Sequence, residues 1–239
     1  MSFEIKNKNV LITGATSGIG KSAALKLAEM EANIFFVARN KGKAENLIEE
    51  IEEIRGKKAH YFIADLSSIK DIENVATEFK LMDIPLHVLL NNAGLINKKR
   101  KETIDGYEEV FAINHLAYFL LTTLLIDKLK EANGSRVVNV SSGAHAFVKG
   151  FNFEDVQSKK GYKPFQVYGY SKLANILFTK KLAAILENEN ITVNCLHPGV
   201  VGTSFGQNNG NFQRLLFFLA KPFMRSSEKG AETSIYLCS

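Results

Sequence analysis

A short apolar run, Val10-Leu11-Ile12, leads into Thr13-Gly14-Ala15-Thr16-Ser17-Gly18-Ile19-Gly20, and apolar residues then recur at helical spacing through Ala23, Ala24, Leu27 and Ala28. This order reads as strand, glycine turn, helix. The glycines permit a tight turn and a close backbone approach to a pyrophosphate, whose charge the unpaired N–H groups and dipole of the next helix attract. The spacing is G-x-x-x-G-x-G rather than the commoner G-x-G-x-x-G, so a simple turn is the competing reading. Similar alternation of short apolar runs and longer amphipathic segments fills the rest of the chain. Strands are predicted near 9 to 13, 33 to 38, 59 to 63, 86 to 91, 135 to 141 and 191 to 197, with helices between them. Repeated βα units of this kind predict an α/β fold: a doubly wound parallel sheet in a three-layer αβα sandwich. At 239 residues and 46% hydrophobic content, without linker, repeat or low-complexity tract, residues 1–239 read as a single domain.

A formal charge of +5 is moderate. The run Lys98-Lys99-Arg100-Lys101 reads as a solvated loop rather than a nucleic-acid surface. Two cysteines, Cys195 and Cys238, show no metal-binding spacing and suggest a reducing compartment. His60, His87, His115, His145 and His197 are dispersed and read as structural, with His145 the one to watch as a cleft-lining residue; no metal site is expected. Charged and polar residues interrupt Met1 to Lys8, so no signal peptide is read there and a cytoplasmic location is expected. The apolar run from Phe212 to Met224 is too short to span a bilayer, and no transmembrane segment is expected.

Tyr168 and Lys172 lie four apart, which on a helix places a phenol and an ammonium on one face. A phenol titrates near ~10, and a nearby cation lowers that value toward a range where it exchanges protons with an alcohol or alkoxide. By itself the pair reads as a chance surface pair. Its company says more: Asn91-Asn92-Ala93-Gly94 after an apolar stretch, Asn114 in a helical segment, Ser141-Ser142 after Arg136 to Val140, and Pro198-Gly199 after Ile191 to Leu196.

Taken with Asp65-Leu66, this order of motifs resembles the short-chain dehydrogenase/reductase superfamily from about Lys8 to the C-terminus. The segments Asn114 to Thr122, Val138 to His145 and Tyr168 to Phe178 look most like its retinol dehydrogenase-like branch. The resemblance implies a Rossmann-type domain that binds a nicotinamide cofactor and transfers hydride. It implies that Tyr168 is the acid/base, that Ser142 bonds the carbonyl oxygen, that Lys172 lowers the phenol pKa and holds the nicotinamide ribose, and that Asn114 keeps a relay water in place. Gly14, Ser17, Gly18, Ile19 and Gly20 would cradle the pyrophosphate, Asp65 and Leu66 would flank the adenine, and the backbone of Asn92, Ala93 and Gly94 would pass along the adenosine ribose. Pro198, Gly199, Val201 and Thr203 would hold the nicotinamide amide and the pyrophosphate. The second strand ends in Arg39 with no acid, which favours a 2′-phosphate and hence NADP(H). Lys41 and Lys43 either add to that positive field or are surface charges.

Ser141 competes with Ser142, and Tyr170 with Tyr168, although Tyr170 sits only two residues from Lys172 and points elsewhere on the helix. The long interval from Ser142 to Tyr168 holds Phe151 to Tyr162, read either as a wall of the cleft or as a surface excursion. After Pro198-Gly199, residues 206 to 211 read as a hinge and 212 to 224 as an apolar lid, with an ordinary amphipathic helix as the other reading. An apolar aldehyde or ketone, or its alcohol, is the expected substrate. A catalytically silent NADP-sensing regulator or scaffold on the same fold is the rival, and a sugar-nucleotide epimerase is disfavoured by the lack of a C-terminal substrate domain. The helices near 107–130 and 168–187 carry apolar residues on more than one face, as either a homo-oligomer interface or a buried helix would. The resemblance also implies a seventh strand, whereas the sequence stops at Ser239 where the last helix is ending; either it stops short or the sheet edge is incomplete.

Overall fold

A computed structural model describes residues 3–201 and 225–239. Six strands run parallel in the order β3-β2-β1-β4-β5-β6: β1 Asn9–Thr13, β2 Asn33–Ala38, β3 His60–Ile63, β4 Val88–Asn91, β5 Ser135–Val140 and β6 Ile191–Leu196. Helices α1 Gly18–Glu29, α2 Lys41–Arg55, α3 Ile69–Leu81, α4 Glu109–Phe111, α5 Ala117–Leu124, α6 Ile126–Glu131, α7 Pro164–Ile185 and α8 Ser227–Cys238 connect or flank them. The predicted α/β sandwich is therefore present, with strand ends moved by a residue or two. The span predicted as one helix near 107–130 is broken, because Leu125 leaves helical geometry (φ −101°, ψ 8°) between α5 and α6.

Every residue of β1 and β4 is buried, as expected for strands covered on both faces. Side chains alternate between two cores. Val10, Ile12, Val88, Leu90, Val138 and Val140 pack with Ala23 and Leu27 of α1 and Ala231 of α8. Leu11, Leu89 and Val137 point the other way, with Phe79 of α3, Leu121 of α5 and Leu186 after α7. Local signals set the helix starts: the side chain of Asn40 accepts from the Lys43 amide at 2.9 Å ahead of α2, and Ser226 caps α8 through the Lys229 amide at 3.2 Å.

Neighbouring β1 and β4 lead their connections in opposite directions, so a crevice opens beyond their carboxyl ends, where open α/β sheets bind ligands. Among the described residues no helix is long and apolar enough to cross a membrane.

Candidate active site

At the crevice the sheet is stitched by one residue from each strand end. The Thr13 hydroxyl accepts the Asn92 and Ala93 amides at 2.9 and 3.1 Å, and the Asn92 side chain donates to the carbonyls of Thr13 and Gly14 at 3.0 and 3.2 Å. The Asn92 side chain thus holds the glycine turn, while the expectation for Asn92 concerned its backbone. Gly14 and Gly18 have φ of 69° and 53°, and a Cβ on Gly20 would overlap the Gly14 carbonyl and the Asn92 amide. Ser17, exposed, opens α1 with no side-chain cap bond. Uncapped amides, no acidic residue in the first turn of α1, and a cradle that side chains would fill suit a pyrophosphate.

Arg39 is exposed at the end of β2 and makes no ion pair among the described residues, whereas Lys41 reaches Glu45 at 3.8 Å. Leu66 is buried, and the Asp65 carboxylate accepts the Ser67 amide at 2.9 Å, which fixes the turn after β3.

Ser142, Tyr168 and Lys172 come together from β5 and α7. The Ser142 hydroxyl hydrogen-bonds the Tyr168 phenol and accepts the Ala144 amide at 3.2 Å. Lys172 is buried, donates from Nζ to the Val140 carbonyl at 2.9 Å, and lies 5.7 Å from the Tyr168 ring centroid. Its competitors are otherwise engaged. Ser141 is buried and donates to the Lys172 carbonyl at 2.8 Å, while the Tyr170 hydroxyl accepts from Gln166 at 2.9 Å.

Electrostatics here differ from the sequence expectation. Burial lowers Lys172 to about 7, so near neutral pH it is not a fixed cation. Burial also raises the Tyr168 phenol above its ordinary value, opposed by the hydrogen bond with Ser142. The phenol is therefore held protonated rather than pushed toward phenolate.

Asn114 lies in a π-helical turn, Ala112–Leu116, between α4 and α5. Its side chain accepts the Leu95 amide at 2.8 Å and donates to the Leu95 carbonyl and to Ser171 Oγ, both at 3.0 Å. Its own carbonyl accepts from Asn175 at 2.8 Å. Asn114 thus fastens Gly94 and Leu95 to α7, and a Cβ on Gly94 would come within 3.3 Å of the Asn114 side chain and 3.5 Å of Lys172 Nζ.

On the opposite side, Gly199 (φ 85°) follows Pro198, and Val201 bridges to Arg225; Thr203 and the segment read as hinge and lid lie outside the described residues. The long interval docks beside the site: Gln157 accepts the Glu108 amide at 2.6 Å, and the Phe151 ring sits 6.0 Å from Phe111 and 5.8 Å from Tyr170. Arg100, from the basic run, is tied down by Glu102 at 2.7 Å and the Gln157 carbonyl at 3.0 Å.

Burial lowers His60, His87, His115 and His197, so below about 6.5 the unfolded chain binds these protons more readily than the native one. Glu108, raised by burial, acts in the opposite sense. Four imidazoles against one carboxyl predict a lower urea midpoint at pH 5.5 than at pH 7.5; a midpoint that rises on acidification would contradict the assignment.

The short chain dehydrogenase family profile matches residues 8–214. Mouse retinol dehydrogenase 12 is 41% identical over 236 residues, covering 98% of this chain and 74% of that protein. Human polyprenol dehydrogenase is 39% identical, covering 95% and 71%. Among solved structures, an uncharacterised protein from Mycobacterium paratuberculosis superposes with a TM-score of 0.77 at 28% identity, covering 99% of this chain and 78% of that one. The chain belongs to the short chain dehydrogenase family of oxidoreductases and to its retinol dehydrogenase-like branch. Its cofactor class is accordingly a nicotinamide dinucleotide.

Proposed function

We propose that the chain interconverts an apolar aldehyde or ketone and its alcohol with NADP(H), using Tyr168 as acid/base. The observation that carries this reading is the convergence of the Ser142 hydroxyl, a protonated Tyr168 phenol and the buried Lys172 beside the glycine cradle. A bound NADPH supplies the hydride for the carbonyl carbon. Ser142 and Tyr168 hydrogen-bond each other; a carbonyl oxygen that takes the place of that bond would receive both O–H groups, and Tyr168 gives up its proton as charge grows there. A raised phenol pKa suits that donating role. Lys172, near neutrality in its pKa, returns a proton to Tyr168. Gly14, Ser17, Gly18, Ile19 and Gly20 would hold the pyrophosphate; Leu66 and Gly94, with Pro198, Gly199 and Val201, would line the rest of the dinucleotide. Phe151, which packs on Phe111 and Tyr170, would supply an apolar wall for a lipophilic substrate, the class that the names of the retinol and polyprenol dehydrogenases also suggest.

The test is loss of NADPH absorbance with a panel of apolar aldehydes. Turnover supports the reading, and tight NADPH binding without turnover of any aldehyde or ketone would favour a silent cofactor sensor instead.

Arg39 is proposed as the selector for the 2′-phosphate. Hydrogen bonds to a charged group contribute about 1.5–3 kcal/mol, so Arg39→Ala should raise the KM for NADPH about 10- to 100-fold and leave that for NADH nearly unchanged. A native preference for NADH would contradict this role. The proposal includes a homo-oligomer joined through α5 and α7, where Phe119 and Leu177 are exposed apolar residues; light scattering checks it. It also includes a cytoplasmic site of action, supported by two unpaired cysteines and checked by cell fractionation.

A further inference from the structure

The peptide group joining Ser142 to Gly143 is gripped from both sides by imidazoles. Its carbonyl oxygen lies 2.6 Å from His145 Nδ1, and its N–H donates to His197 Nδ1 at 3.0 Å. The His197 ring also packs against this turn: a Cβ on Gly143 would meet its Nε2 at 3.2 Å, so the position has room for glycine alone without movement. We propose that His145 and His197 form a clamp that positions the Ser142 hydroxyl, and that His197 makes the clamp open in acid.

The donor and acceptor chemistry of the two rings is opposite. A carbonyl oxygen only accepts, so His145 Nδ1 carries a proton, and protonating its other nitrogen leaves that bond in place. An amide N–H only donates, so His197 Nδ1 is bare and its proton sits on Nε2. Adding a proton to His197 puts N–H against N–H and breaks the bond to Gly143. His145 on the turn after β5 and Arg225 beside the Gly199 loop are the charged or titratable groups that face His197 among the described residues, and both oppose its protonation. Burial acts in the same direction, so the clamp is closed at neutral pH. His197 is exposed on its outer side, leaving proton exchange with solvent open. Because the turn begins at Ser142, whose hydroxyl faces Tyr168, its loosening moves an oxyanion donor rather than a distant loop.

This inference rests on the proposed role of Ser142 in carbonyl reduction, so the test has an arm that needs no turnover. In NMR spectra of the wild-type protein, the Gly143 amide should titrate together with His197, and His197 should be the Nε2–H tautomer at pH 8. A Gly143 amide indifferent to pH, or an Nδ1–H tautomer, would overturn the clamp whatever the enzyme does. In the kinetic arm, His197→Leu should lower kcat about three- to tenfold at pH 8, up to the factor that about 1.4 kcal/mol sets. His197→Asn, whose side-chain oxygen accepts the same N–H but does not titrate, should restore kcat and remove the acid limb seen in wild type. An acid limb unchanged in His197→Asn would also overturn it. Absence of turnover in wild type as well, with Gly143 and His197 titrating together, would instead count against the carbonyl-reductase reading and leave the clamp supported.

Discussion

Tyr168→Phe is expected to lower kcat for aldehyde reduction by about 10²–10⁴-fold, the usual contribution of a positioned general acid. The substitution removes one oxygen and leaves the ring, so its packing near Lys172, 5.7 Å from Nζ to the centroid, is retained. NADPH affinity should change little, because the glycine cradle and Arg39 are untouched. The proton has no substitute: the Tyr170 hydroxyl is held as the acceptor of Gln166, and Lys172 directs Nζ to the Val140 carbonyl. Tyr170→Phe, which loses one exposed hydrogen bond, should keep nearly full activity. Steady-state kinetics beside a fluorescence titration of NADPH separates these effects. Equal kcat in wild type and Tyr168→Phe would remove Tyr168 from the mechanism.

Ser142→Ala should cost about 10²–10³-fold in kcat, the range for losing one oxyanion donor. Here the loss has two parts. The hydroxyl facing Tyr168 disappears, and so does the acceptor that caps the turn through the Ala144 amide at 3.2 Å. A cap of that kind contributes about 0.5–2 kcal/mol, so some stability is lost as well. Ser141→Ala is the control. Among the described residues its buried hydroxyl bonds only the Lys172 carbonyl, so that variant should unfold at lower urea while its kcat falls far less. If Ser141→Ala proved the worse catalyst of the two, the assignment of the neighbouring serines would be reversed.

Much of this was legible in residue order. Val10 to Gly20 specified strand, turn and helix because an apolar run, glycines and a helical period are local features. The choice of Ser142 over Ser141 depended on which face of β5 meets α7, a tertiary fact, although the period-2 rule said that only one of them could face the site. Asn92 illustrates a different gap: its motif pointed to a backbone contact and said nothing of its side chain, which holds the glycine turn. Charge was the least legible property. Spacing placed Lys172 near Tyr168, but it carried no information about burial, which lowers the lysine to about 7 and raises the phenol. Likewise, dispersed histidines looked structural because His145 and His197 are far apart in sequence. Their adjacency to Ser142 on one side and Pro198-Gly199 on the other was the available sign that they could meet.

Deuteride transfer from NADPH carrying deuterium at both nicotinamide C4 positions tests the central claim most directly. With an apolar aldehyde and wild-type protein, the account predicts an alcohol one mass unit heavier, with the label on the former carbonyl carbon, formed about 10²–10⁴-fold more slowly by Tyr168→Phe. Alcohol formed without the label, or labelled alcohol formed equally well by Tyr168→Phe, would contradict it.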